Sequence, residues 1–135
     1  MADADRVDLE WRGRIANDEL NALHAEAFEH DIRNDDWVAR LERFSVGWVV
    51  ARDDGGLVGF VNVAGDGGIH AFVLDTCVAT RARGRGIGAA LVRAAAEGAR
   101  SAGCEWLHVD FTDDLAPFYR HACGFRPTAA GLVAL

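Results

Sequence analysis

The chain has 135 residues, 50% of them hydrophobic and 26% charged, with two prolines and a net charge of −7 at neutral pH. Apolar content is too high and charge too low for a disordered chain, and the length suits a single compact domain, expected over residues 1–135. All 14 basic residues are arginine, and the acidic balance argues against general nucleic-acid binding while suiting a neutral or cationic partner.

Met1–Asp8 carries three aspartates where a secretory leader needs positive charge followed by an apolar run. No apolar stretch approaches the roughly 18 residues of a membrane span. A cytoplasmic protein with no membrane partner is therefore expected, as a monomer or homodimer. Cys77, Cys104 and Cys123 stand singly, without the paired spacing of a zinc site, and their odd number fits a reducing compartment. No metal is expected.

Val7, Leu9, Trp11 and Ile15 alternate with polar residues, which predicts a half-buried strand over 7–15. Asn17 can cap a helix carrying Leu20, Leu23, Ala27 and Phe28. Asn34 or Asp35 can cap a second one carrying Trp37, Val38, Leu41 and Phe44. The period then changes. Strands are predicted over 46–52, 57–64 and 69–79, joined by Asp/Gly turns at 53–56 and 65–68 into an antiparallel meander. Residues 87–102 read as an Ala-rich helix stopped by Gly103. Residues 104–111 read as a strand buried on both faces. A short helix should begin at Asp113 or Asp114 and end at Gly124, and 125–135 can supply two last short strands. The predicted order is β-α-α-β-β-β-α-β-α-β-β, an α/β fold with a mixed sheet and helices on both faces.

Between strand and helix lies Arg81-Ala82-Arg83-Gly84-Arg85-Gly86-Ile87-Gly88-Ala89. Glycines at 84, 86 and 88 remove side chains that would hold an anion away from the backbone. The free N–H groups and dipole of the following helix then favour a phosphorylated ligand, with three arginines adding charge. An unliganded flexible loop accounts poorly for three alternate glycines opening a strong helix. A dinucleotide fingerprint fits Gly84, Gly86 and Ala89, with Glu105 or Asp110 for the ribose, but it needs an early βαβ unit that the meander displaces. A P-loop fails, since no Gly-Lys-Ser/Thr occurs.

Coenzyme A is the third occupant, and Arg83-Gly84-Arg85-Gly86-Ile87-Gly88 resembles the Gln/Arg-x-x-Gly-x-Gly/Ala motif of the GNAT superfamily of N-acetyltransferases. Val78-Ala79-Thr80-Arg81-Ala82 resembles the family's lead-in, with Thr80 in place of its usual proline. Phe118-Tyr119-Arg120-His121-Ala122-Cys123-Gly124-Phe125 is similar to its F-Y-x-x-x-G-F segment, with one extra residue before Gly124. The resemblance implies the GNAT fold over nearly the whole chain and acetyl-CoA as co-substrate. It places the pantetheine arm against Thr76, Cys77 and Val78, and the pyrophosphate on the backbone of Arg83, Gly84, Arg85, Gly86, Ile87, Gly88 and Ala89. Thr112 stands where family members often carry an asparagine that contacts the coenzyme.

The implied reaction moves an acetyl group to a primary amine, of a small molecule or a protein, by direct transfer in a ternary complex. Tyr119, the chain's single tyrosine, falls where the family commonly places the general acid; a phenol stays protonated at neutral pH and can protonate a departing thiolate. Packing of the short helix is its structural alternative. Two candidate bases stand open. His108 shares a strand face with Trp106 and Asp110, and Asp110 could orient it. Asp75 sits among Phe72, Val73 and Leu74, where a carboxylate needs a partner or an upward shift. His24 and His30 read as solvated, His70 as exposed, and His121 has no role. Trp11, Trp37 and Trp48 read as core. Asp31, Asp35 and Asp36 suit a cationic acceptor or simply a solvated face. A coenzyme A-binding sensor without turnover is the rival from another class, and Tyr119 argues against it.

Overall fold

A computed structural model describes residues 6–135. The acidic segment read as lacking a leader lies, up to residue 5, outside these residues. Five strands form one sheet in the order β1 (Asp8–Trp11), β2 (Ser45–Asp53), β3 (Gly56–Gly65), β4 (His70–Val78), β5 (Trp106–Val109). Neighbours are antiparallel except β4 and β5, which run parallel. The parallel step follows from the crossover helix between them, which the antiparallel Asp/Gly hairpins do not need.

Helix α1 (Asn17–Phe28) packs on β3 and β4, and α2 (Trp37–Phe44) on β2 and β3. Helix α3 (Ile87–Ser101) covers β1 to β4. Asn17, expected as the cap of α1, is instead its first residue; Ala16 is the N-cap, and the Glu19 carboxylate accepts the Ala16 N–H at 3.1 Å. The cap of α2 is Asp36, whose carboxylate accepts the Ala39 N–H at 3.1 Å; Asn34 and Asp35, expected there, lie just before it. Fully buried Val49, Val61, Val63, Phe60 and Leu91 anchor the core on the three central elements.

Three expectations change. The first strand stops at Trp11, because Arg12 turns to φ +56° and gives its N–H to the Trp48 carbonyl at 2.7 Å. Strand β5 is not buried on both faces: Trp106 is 50% exposed and His108 is exposed too. Nor do residues 125–135 form the two strands expected there; Leu132 and Val133 stand open to solvent. The two differences share a cause, since β5 is the last strand of the sheet and nothing pairs with its outer edge among the described residues.

The predicted last helix divides into a 3₁₀ turn, Asp113–Leu115, and a π-helical turn, Pro117–Ala122. The Cys123 N–H donates to the Phe118 carbonyl at 3.0 Å, five residues back. A π turn holds one more residue than an α turn. The extra residue before Gly124 is absorbed there.

Candidate active site

Strand β5 pairs only with the first part of β4, from His70↔Trp106 to Val73↔Val109. Beyond Val73 the β4 edge has no β5 partner. A bulge interrupts the β3–β4 register between Phe60↔Cys77 and Asn62↔Leu74, and within it Asp75 takes a left-handed φ of +58°. Such strain in a non-glycine residue persists only where its surroundings fix it. The bulge sends Asp75 towards α1 and leaves Thr76 beside Tyr119 of the π turn.

At the end of β4 a cleft of about 310 Å³ is lined by Val78, Arg83, Gly84, Gly86, Gly88 and Phe118, among others. Gly86 is the N-cap of α3, with φ +76° and no side-chain cap. Gly84 has φ +78°, and a Cβ at either glycine would meet open space. Both are glycine because the turn requires the left-handed region. Gly88 differs: its Cβ would lie 3.2 Å from the Phe118 ring, so it serves packing. The first intrahelical bond runs from the Ala90 N–H to the Gly86 carbonyl, at 3.1 Å. The amides of Ile87, Gly88 and Ala89 precede it at the cleft end of the helix, and helix starts of this kind are suited to anions.

The arginines divide their work. Arg81 grips the Asp53 carboxylate with both guanidinium nitrogens at 2.8 Å, tying the β2–β3 turn to the loop before α3. That grip holds the Asp53 carboxyl down at about 2. Arg81 is thus a strut, contrary to the expectation that all three arginines serve the ligand. Arg85 leans on the same carboxylate at 4.0 Å, and Arg83 Nε donates to the Val78 carbonyl at 3.4 Å. Glu26 of α1 braces the other side by accepting the Thr80 N–H at 2.6 Å.

Tyr119 is 7% exposed, stacked on Phe111 at 5.0 Å and edge-on to Phe118 and Phe125. Burial pushes its phenol up, and the nearby Thr76 hydroxyl pulls it partly back. Thr76 Oγ1 is itself buried and closes no hydrogen bond, so the two hydroxyls adjoin without the geometry of a bond. Tyr119 and Thr76, expected from separate motifs, are brought together. Cys77 faces away into the core, its thiol pushed up to about 12 by burial and by the Asp75 charge. That thiol is no nucleophile.

The two candidate bases are set apart. His108 Nε2 lies 2.8 Å from His70 Nδ1, with its ring stacked on Phe72 at 4.8 Å. Its partner is His70, where Asp110 was expected. Asp75 lies beside Thr76 and meets His24 Nε2 at 3.0 Å. His24 Nδ1 in turn meets His30 Nε2 at 2.7 Å. His24 and His30, read from the sequence as solvated, are half-buried in this network. Thr112 is exposed, and its hydroxyl donates to the Asp114 carboxylate within its own loop. Among the described residues no group of His, Cys, Asp and Glu is arranged to hold a metal, and no helix is long and apolar enough to cross a membrane.

Fold and family profile together define an acyltransferase. The acetyltransferase (GNAT) family profile matches residues 10–125, and the chain belongs to that family. The nicotinamide alternative falls with it, since the sheet has a single parallel pair. No curated protein matches the sequence. Among solved structures, an acetyltransferase from Trypanosoma brucei is 24% identical over 94% of this chain and 99% of its own, with a TM-score of 0.74. Glucosamine-6-phosphate N-acetyltransferase from Arabidopsis thaliana is 16% identical, covering 95% and 98%, with a TM-score of 0.73. An aminoglycoside N-acetyltransferase solved with CoA is 17% identical, covering 96% and 94%, with a TM-score of 0.75. At these identities the likeness is one of fold.

Proposed function

We propose that the protein transfers an acetyl group from acetyl-CoA to a primary amine, directly, in a ternary complex. One observation carries this reading: the uncapped start of α3 opens on a cleft shared with Val78, at the end of β4, and with Phe118, the edge-on neighbour of the buried Tyr119. The α3 amides and the glycine turn would hold the pyrophosphate. The edge of β4 from Thr76 to Val78, which pairs with β3 on one side and has no β5 partner on the other, would hold the pantetheine arm. Asp75, on the α1 side of the same strand, would take the proton that frees the amine lone pair. Tyr119 would protonate the departing thiolate, for which a phenol kept neutral by burial is suited. The inert Cys77 thiol favours direct transfer over an acyl-cysteine route.

For the acceptor, a cationic amine remains the preferred class, with fewer residues to attract it than the sequence suggests. Asp36 caps α2, and Asp35 lies 3.8 Å from the Arg40 guanidinium. Asp31 is exposed at the turn after α1. The test is release of free CoA thiol from acetyl-CoA across a panel of polyamines, aminosugars and peptide amines. Amine-dependent release with equimolar acetylated product is expected. Thiol release that is independent of every amine would overturn the transfer reading.

A further inference from the structure

Three contacts join end to end across α1 and the turn after it. Asp75 Oδ1 meets His24 Nε2 at 3.0 Å, His24 Nδ1 meets His30 Nε2 at 2.7 Å, and His30 Nδ1 meets the Asp31 carbonyl at 2.7 Å. The rings are held by packing. His24 lies 4.5 Å from Phe28, 5.0 Å from His30 and 5.4 Å from Trp37, centroid to centroid. The side chains run head to tail and do not converge on a point, so they make a chain and not a ligand set.

Counting protons gives the chain a direction. A backbone carbonyl only accepts, so His30 Nδ1 carries a hydrogen. A carboxylate only accepts, so closure at Asp75 needs a hydrogen on His24 Nε2. The gap between the rings needs one more. Two neutral imidazoles bring two protons to three gaps. With one proton too few, lone pairs face each other either between the rings or between His24 and Asp75. One added proton closes every gap. It can sit at the Asp75 end or, after shifts across the two short contacts, at His30.

We propose that His24 and His30 relay to the surface near Asp31 the proton that Asp75 takes from the acceptor amine. This rests on the acetyl-transfer reading above. The ammonium has three protons on nitrogen and the amide product has one. One of the two lost leaves through Asp75 and His24 to the half-buried His30, whose Nδ1–H passes to water on leaving the Asp31 carbonyl, which itself can only accept. The other reaches the CoA sulfur through Tyr119, as the thioester C–S bond breaks and the amide C–N bond forms. His24 and His30 are positioning residues, since Asp75 alone meets the amine. Other ionisable groups on the surrounding elements are Glu26 on α1, bonded to the Thr80 N–H, Glu29 at its end, and Asp31 beyond. Arg40 of α2 lies over the Trp37 ring, and Cys77 follows on β4.

The test is His30→Ala, followed by kcat against pH, with and without added imidazole. The expected result is a fall in kcat of roughly 10-fold to 100-fold, within the span of a proton-transfer role. KM for acetyl-CoA should be unchanged, the acidic limb of the profile displaced, and the rate restored by imidazole. An unchanged kcat and profile would overturn the relay, as would a lowered rate that imidazole leaves alone in a folded variant. A parent protein that acetylates no amine would count against the transfer reading itself. Nitrogen NMR of the labelled imidazoles needs no acceptor and tests the chain separately. With the added proton in place, a coupling across the hydrogen bond between His24 Nδ1 and His30 Nε2 is expected, and its absence would overturn the chain.

Discussion

The Tyr119 hydroxyl can be removed without disturbing the stack of its ring on Phe111 or its edge contacts with Phe118 and Phe125. Tyr119→Phe should therefore leave the melting temperature close to that of the parent. If the phenol protonates the thiolate, kcat should fall about 10²-fold, the lower end for a general acid, because a thiolate leaves fairly readily unaided. Since the interaction strengthens in the transition state, kcat/KM should fall with it. Parent-rate turnover by the variant would make Tyr119 a packing residue. The two candidate bases separate in the same assay. Asp75→Asn should remove the acidic limb of kcat/KM, and His108→Gln, altering a residue paired with His70, should keep it. The opposite pattern would move the base to His108. Asp53 predicts a pH effect on stability. Its carboxyl is lowered from 3.8 to about 2 in the folded protein, chiefly by the Arg81 hydrogen bonds. Its contribution is complete above 3.8 and disappears as pH falls through about 2. Urea midpoints should drop across that window in the parent and drop less in Asp53→Asn.

Among the elements, α3 is set by glycines at both its start and its middle. An alanine at an exposed mid-helix glycine ordinarily stabilises by about 1 kcal/mol. Gly98 should reverse the sign. A Cβ there would lie 2.3 Å from the Trp11 ring, and one at Gly47 would lie 2.1 Å from the same ring. Trp11 of β1 is thus lodged between β2 and α3. Gly98→Ala should destabilise by roughly 1–3 kcal/mol through overpacking, and Trp11→Leu in the same chain should recover part of the loss. A rise in melting temperature on Gly98→Ala alone would show that the ring moves aside easily. Hairpin turns and the start and stop of α3 are legible in sequence because local residues set them: the Asp/Gly pairs, Gly86 and Gly103. The caps of α1 and α2 are less so, since Ala16 and Asp36 take the positions expected of Asn17 and of Asn34 or Asp35. The chain from Asp75 to His30 is not, because it closes across 51 residues between Asp75 and His24 and depends on a bulge no local pattern marks. The expected strands over 125–135 failed for a related reason. Apolar residues such as Leu132 and Val133 carry no register information, and strand formation depends on pairing and burial more than on intrinsic preference.

At the scale of the whole molecule, the cleft draws on β4, the loop before α3, the first turn of α3 and the π turn, held in register by Arg81–Asp53 and Glu26–Thr80. A ligand seated there binds the folded chain alone, because the unfolded chain has no such cradle. Mass action then gives about 2.7 kcal/mol of added stability at roughly a hundredfold excess over Kd. For a domain of this size that corresponds to a rise of roughly 10 °C in Tm. Acetyl-CoA and CoA should both produce the rise, since the proposed function has the glycine turn hold what the two share. Gly86→Val should abolish it. Its left-handed φ adds about 1–2 kcal/mol of strain, and its side chain would stand in the open space the pyrophosphate needs. Gly103→Ala, at φ +97° beyond the other end of α3, is the control for strain without obstruction. It should lower the ligand-free Tm and keep the full ligand-induced rise. Tyr119→Phe should keep the rise as well, which separates binding from proton transfer. If Gly86→Val responds to acetyl-CoA as the parent does, the turn only shapes the backbone and the phosphates are held elsewhere.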